Sequence, residues 1–114
     1  ERVYTIERVQ TLGVQARRTL ESLGYYNVMC RIFDGSYGWM GEAPFDAILG
    51  AAAAPDIPQR LLDQLADLGV MVLPVGDDKN QQLMRLARND GQIESEEIGG
   101  CVFVKMIGEF AWKD

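Results

Sequence analysis

Histidine does not occur in this chain of 114 residues. Its absence excludes Ser-His-Asp and Cys-His nucleophile systems and removes the commonest metal ligand, leaving chemistry that runs on carboxylates, backbone groups and geometry. No metal site is expected. Cysteine is scarce: Cys30 and Cys101 lie far apart, one inside each of two apolar segments, which reads as buried free thiols in a reducing, cytoplasmic setting rather than as a disulfide. Long hydrophobic runs are missing too. No stretch of about 18 apolar residues is present, so no helix is expected to span a membrane. The start, Glu1-Arg2-Val3-Tyr4, has no signal-peptide pattern and reads as a cut beginning. Basic charge is in deficit, with 11 Lys and Arg against 17 Asp and Glu and no basic cluster, so a nucleic-acid backbone would be repelled.

What is present is a sizeable apolar fraction, 47%, enough for one modest domain with a core and too little for two. Val3 to Ile6 is short and β-branched. The segment Gln10 to Leu23 places Leu12, Ala16, Leu20 and Leu23 at helical spacing, and Gly24 ends it. Val28 to Phe33 and Phe45 to Leu49 read as further strands. Ala51 to Pro58 reads as a loop, and Pro58 suits the first turn of a helix that runs through Leu61, Leu62 and Leu65 to about Asp67. Val70 to Val75 is then a fourth strand, closed by Gly76-Asp77-Asp78, with Pro74 marking where it stops pairing.

Strands alternating with helices across short loops predict an α/β fold with a parallel sheet, and the near-continuous apolar strands agree. Beyond Gly76 the rhythm changes. Gln81 to Arg88, Gln92 to Ile98 and Cys101 to Ile107 are joined by Asn89-Asp90-Gly91 and Gly99-Gly100, which are turn signals for antiparallel strands. Gln81 to Arg88 is nevertheless built of good helix formers, so propensity and pattern conflict there.

Two acidic residues end the first two strands: Glu7 after Ile6, and Asp34 after Phe33. A β-α-β crossover sets both carboxylates at one edge of the sheet, on strands about 4.8 Å apart if they are neighbours. A carboxylate at the first position can accept from both hydroxyls of a ribose. One at the second can accept from the exocyclic amine of adenine while a nearby backbone N–H donates to the ring. Gly35 directly after Asp34 lets a ligand approach the backbone. The plainer readings are that Glu7 favours the start of the following helix and that Asp34-Gly35 is an ordinary turn. Tyr37 and Trp39 either flank a site or cover an edge of the core.

Taken in order, VYTIERV, LGYYNV, DGSYGW, APFDAI, the IP of PDIP, LLDQL, VLPVG and FV-x-x-IGE resemble the protein-L-isoaspartate O-methyltransferase family over nearly the whole chain. The resemblance implies a Rossmann-like methyltransferase sheet, mostly parallel with antiparallel strands at the carboxyl-terminal end, and it favours a strand at Gln81 to Arg88. It implies transfer of a methyl group from S-adenosyl-L-methionine to the carboxylate of L-isoaspartyl or D-aspartyl residues in damaged proteins. It places Glu7 on the ribose hydroxyls with Arg8 beside it, and Asp34 with Gly35 at the adenine edge. No catalytic residue is implied within these 114 residues.

The chain departs from the family pattern in places. Phe33 stands where the family usually has glycine before Asp-Gly, Ala51 where it has threonine, Leu68-Gly69 where it has Gly-Gly, and Val104-Lys105-Met106 where it has Val-Pro-Leu. The family's glycine-rich loop, its Ser-containing substrate stretch and the first strand of its sheet are absent from the 114 residues. By resemblance that strand lies between the strands ending at Ile6 and starting at Phe45, so the expected partner is the amino-terminal part of the enzyme or a strand-swapped copy. The segment alone is expected to be inactive. Two further readings are a non-catalytic remnant acting as an interaction or adenosine-binding module, for which Phe33 and Ala51 speak, and a related small-molecule methyltransferase, against which the run after Phe45 speaks.

Overall fold

The computed structural model describes residues 1–114. Contacts divide the chain into two compact units, Glu1–Gly35 and Ser36–Asp114.

The first unit is a β-α-β element. Strand β1 (Val3–Glu7) pairs in parallel with β2 (Val28–Ile32), in register from Val3 opposite Val28 to Glu7 opposite Ile32, and helix α1 (Gln10–Ser22) connects them. Gly24, at φ +85°, ends α1 as a left-handed cap. Its N–H donates to the Glu21 carbonyl, and the Tyr25 N–H donates to Leu20, which satisfies carbonyls the last turn would leave orphaned. The stripe expected to face the strands is only partly covered, since Leu12 is 50% and Leu23 65% exposed. The buried helical residue is Gly13, where an added Cβ would lie 2.7 Å from Ile32 Cγ1. The helix therefore meets the strands through its glycine, and the missing side chain sets the approach.

The second unit is a four-stranded sheet in the order β3-β4-β5-β6: Phe45–Leu49, Leu65–Gly76, Gln81–Asn89 and Gln92–Cys101. Strands β3 and β4 are parallel, and the β4–β5 and β5–β6 pairs are antiparallel. The strand expected at Gln81 to Arg88 forms despite its helix-favouring composition, because it is paired on both sides. The Asp90-Gly91 turn between β5 and β6 has both residues at positive φ, 52° and 78°, the twist that suits a two-residue hairpin. The core comprises Ala54, Leu61, Leu62, Leu65, Met71, Leu73 and Leu86.

Several boundaries differ from expectation. The helix beginning after Pro58 is a single turn, α2 (Gln59–Leu62), because the chain re-enters the sheet at Leu65 opposite Phe45. Arg88 takes the Leu62 and Leu65 carbonyls at 2.6 and 3.0 Å, so the helix end is satisfied by a side chain from β5. Pro74 does not end β4, which stays paired to Gly76, and its carbonyl accepts from the Ala54 N–H. Gly99-Gly100 does not turn: β6 runs through it, with Ile98 as the extra residue of a bulge between the Leu83–Gly99 and Met84–Glu97 pairs. Cys101 to Ile107 is not a strand of the sheet. It leaves β6 and makes an isolated bridge through Lys105 to Ala53, where the Ala53 N–H donates to Val104 and the Met106 N–H donates to Ala53. Cys30 and Cys101 are free as expected, but half-buried rather than in the core, since Cys30 sits on β2 at the edge of a two-stranded sheet and Cys101 at the end of β6.

Candidate functional site

The β-α-β unit brings two carboxylates to the carboxyl ends of neighbouring parallel strands. Glu7 is the last residue of β1, opposite Ile32 at the end of β2. Beyond Ile32 comes Phe33, whose N–H donates to the Glu7 carbonyl at 3.1 Å, and then Asp34. The ladder thus runs one residue past the strands and ends at the two acids. Glu7 and Asp34 are half-buried, and Arg8 is exposed in the bend before α1.

Glu7 does perform the plain role foreseen for an acid at this position. Its Oε2 accepts the Val9 N–H at 3.1 Å, and Val9, the cap of α1, supplies no side-chain cap itself. A carboxylate has about four lone-pair directions, so this bond leaves acceptor capacity for a ligand. Gly35 opens a 3-10 turn, Gly35–Tyr37. An added Cβ there would meet only Ile6 Cγ2, at 3.9 Å, an ordinary contact. The protein's own packing therefore does not demand glycine at this position. The strand ends thus carry two acceptor side chains beside a glycine with room at its Cβ position.

The turn that follows is anchored by residues that sequence reasoning did not single out. Ser36 is buried, and its Oγ accepts from the Phe110 N–H at 3.1 Å. Gln64, also buried, spends its whole side-chain amide on the loop: Oε1 accepts from the Trp39 N–H and Nε2 donates to the Tyr37 carbonyl, both at 2.9 Å. The Gln64 carbonyl accepts from the Phe45 N–H at 2.8 Å as β3 begins. Gly38, at φ +67°, admits the amide, because a Cβ there would lie 2.3 Å from Gln64 Oε1. Tyr37 packs edge-on against Phe110 at 4.9 Å, and the Arg60 guanidinium lies 3.9 Å from the Phe110 ring centre and 5.5 Å from that of Tyr37. The only hint of this clamp in the sequence is an amide flanked by the leucines of Leu61 to Leu65. Phe33, the departure next to Asp34, is covered by the Arg31 guanidinium at 3.9 Å.

One perturbed carboxyl belongs to the second unit. Asp77 is held below the ordinary aspartate range by the N–H groups of Asn80 and Lys79, each donating to Oδ1 at 2.8 Å, and it belongs to the turn between β4 and β5.

Parallel strands with acidic residues at their carboxyl ends make this an α/β protein, a class in which ligands generally bind beyond those ends. The chain belongs to the protein-L-isoaspartate(D-aspartate) O-methyltransferase family, whose model matches residues 1–111. It is 50% identical over 113 residues to protein-L-isoaspartate O-methyltransferase 2 of Geotalea uraniireducens, covering 98% of this chain and 52% of that protein. It is 49% identical over 113 residues to protein-L-isoaspartate O-methyltransferase of Desulfosudis oleivorans, covering 99% of this chain and 51% of that protein. The chain thus spans about half the length of the curated relatives it matches. Among solved structures it resembles a protein-L-isoaspartate O-methyltransferase with a TM-score of 0.86 at 23% identity, over 96% of this chain and 35% of that one. It also resembles a putative member from Plasmodium falciparum, solved with S-adenosyl-L-homocysteine, with a TM-score of 0.81 at 24% identity over 93% and 52%. Both structures bear on the fold, which is that of these methyltransferases.

Proposed function

We propose that this chain is the carboxyl-terminal part of the catalytic domain of a cytoplasmic protein-L-isoaspartate O-methyltransferase, and that Glu7, Arg8, Asp34 and Gly35 form its adenosine subsite. The observation that carries the reading is the Glu7–Asp34 pair at the carboxyl ends of two paired parallel strands, in a chain half identical to relatives bearing that name. Glu7 accepts from the ribose hydroxyls, with Arg8 beside it. Asp34 accepts from the adenine amine, and the Gly35 backbone faces the ring with no Cβ in between. The neighbouring structure solved with S-adenosyl-L-homocysteine supports the choice of cofactor.

When bound, S-adenosyl-L-methionine supplies a methyl group on a sulfonium. The acceptor is the free carboxylate of an L-isoaspartyl or D-aspartyl residue in a damaged protein: an O–C bond forms, the C–S bond breaks, and a neutral thioether leaves. The carboxylate is already ionised at neutral pH, so the reaction requires no general base, in keeping with a chain without histidine. The residues of this segment bind and orient, and correct orientation can supply roughly 7 to 11 kcal/mol of the barrier lowering. The rest of the site comes from chain outside these 114 residues. Strands β1 and β3 each have one hydrogen-bonded neighbour here, and we assign their open edges to a strand from the amino-terminal part of the enzyme or from a swapped copy.

The test is calorimetry of S-adenosyl-L-homocysteine on the complete enzyme together with methyl-ester formation on an isoaspartyl peptide. Binding and ester formation are expected; a folded complete enzyme that does neither refutes the reading.

A further inference from the structure

The reading above assigns a strand to the open edge of β1 and leaves the far edge of β2 as the rim of the sheet. The Val3 N–H donates to the Asn27 carbonyl and the Phe33 N–H to the Glu7 carbonyl, so in this parallel register Met29 and Arg31 turn their backbone groups toward β1. Val28, Cys30 and Ile32 turn theirs outward, at the two-residue period that an added strand would pair with. The flank of this edge is apolar, with Tyr25, Tyr26 and Met29 exposed. A cleft of about 320 Å³ opens beside it, lined by Arg17 and Leu20 of α1 and by Val28 and Cys30 of β2. An edge of this kind is a template for pairing. It is also self-complementary. Two copies running antiparallel about Cys30 would exchange both N–H···O bonds between their Cys30 residues and set Val28 opposite Ile32.

One side chain stands on that central pair. Arg17 reaches from α1 to the rim, and its Nη2 donates to the Cys30 carbonyl at 2.9 Å. The bond is exposed, so it adds little to the fold, but it sets a cation on the acceptor that a pairing strand would need first. Arg31, the cation of β2 itself, does not serve this purpose, because its backbone faces β1 and its guanidinium lies over the Phe33 ring at 3.9 Å. We infer that Arg17 is an edge guard: by holding the Cys30 carbonyl it keeps the β2 edges of two copies of the enzyme from pairing with each other. A pairing copy must displace a guanidinium on each side, since a two-fold contact counts every group twice. The inference rests on the proposed reading only in that the complete enzyme leaves this edge uncovered, and it is independent of the adenosine subsite.

The experiment uses the complete enzyme with Arg17→Met, which keeps an unbranched apolar stem and removes the donors, and with Arg17→Ala as the second variant. Val28→Pro, added to Arg17→Met, removes an outward N–H at the first residue of β2, where proline leaves the ladder to β1 intact. Circular dichroism establishes folding. Sedimentation over a range of concentrations reads association. Mild oxidation followed by peptide mapping reads the contact, because a hydrogen-bonded antiparallel pair sets its Cα atoms about 5.5 Å apart, within reach of a disulfide. Wild type is expected to form no Cys30–Cys30 link. Folded Arg17→Met should associate roughly tenfold more tightly than wild type, since two carbonyls are freed at once, and should link through Cys30. Val28→Pro should abolish both. Arg17→Ala should behave as Arg17→Met does and decides the matter if the latter does not fold. A folded variant that sediments as wild type overturns the inference, as does a Cys30–Cys30 link in wild type or association that survives Val28→Pro. Calorimetry of S-adenosyl-L-homocysteine on the same proteins keeps the two readings apart: its failure counts against the cofactor and leaves the guard standing.

Discussion

Glu7 shows how one side chain holds two readings at once. Its carboxylate caps the Val9 N–H, as any acid ahead of a helix can, and it stands one ladder step from Asp34 at the strand ends. Hydrogen bonds to charged groups contribute about 1.5 to 3 kcal/mol. Glu7→Ala or Asp34→Ala in the complete enzyme should therefore weaken S-adenosyl-L-methionine binding by an order of magnitude or more by calorimetry, and wild-type affinity in both variants would refute the site assignment. Asp77 makes a different prediction. Its pKa lies below the ordinary 3.8, chiefly through the Asn80 and then the Lys79 N–H. A depressed carboxyl stabilises the fold fully above its unfolded value, and that contribution is lost as pH falls through the folded value. A carboxyl titration by NMR should place Asp77 below 3.8, with the Lys79 and Asn80 amides losing exchange protection only as it protonates; a midpoint at or above 3.8 would refute this.

Among the elements, the β4–β5 hairpin is the one whose closure depends most on a single backbone position. Gly76 has φ +142°, and a Cβ there would fall 1.9 Å from the Asn80 carbonyl oxygen. Gln81 then locks the same corner, its amide donating to Asp77 and Phe103 and accepting from the Phe103 N–H. Backbone strain of this kind costs on the order of 1 to 3 kcal/mol. Gly76→Ala should lose at least that much in denaturant unfolding, whereas Gly91→Ala, with nothing within 4 Å of its added Cβ, should lose less. Equal losses would show that left-handed backbone, rather than the collision with Asn80, governs both turns. The elements also show where periodicity fails as a guide. In α1 and its cap the exposed Leu12 and Leu23 continue the apolar stripe, yet the close approach is made by Gly13, because contact distance is set by the smallest residue on the face.

For the whole molecule, the proposed reading has the open edges of β1 and β3 and the exposed Leu49, Val102 and Val104 covered in the complete enzyme. The 114-residue chain, purified free of any complete enzyme, should transfer no methyl group to an isoaspartyl peptide; detectable ester formation would overturn its assignment as a part. In analytical ultracentrifugation with intact-mass analysis, the ordered chain should be found with a strand-donating partner, either a swapped copy or an amino-terminal fragment. A cooperatively folded monomer at 12.7 kDa without a companion would refute the proposed strand addition.

The sequence by itself determined what depends on neighbours along the chain. The β-α-β unit, the strands Phe45–Leu49 and Val70–Val75, the Asp90-Gly91 hairpin turn and the acids at the strand ends all follow from local pattern and turn chemistry. The family motifs led from there to the methyltransferase fold. Only the tertiary structure decided the features made by distant partners. Arg88 ends α2 from across the unit, Ala53 draws the segment after Cys101 away from the sheet, β6 passes through Gly99-Gly100 because β5 keeps it paired, and Gln64 closes on a turn 27 and 25 residues earlier. Each is a hydrogen bond between groups far apart in the chain. Propensity and periodicity cannot foresee such a bond, because they weigh a residue against its sequence neighbours while burial makes it answer to whatever polar group lies opposite in space.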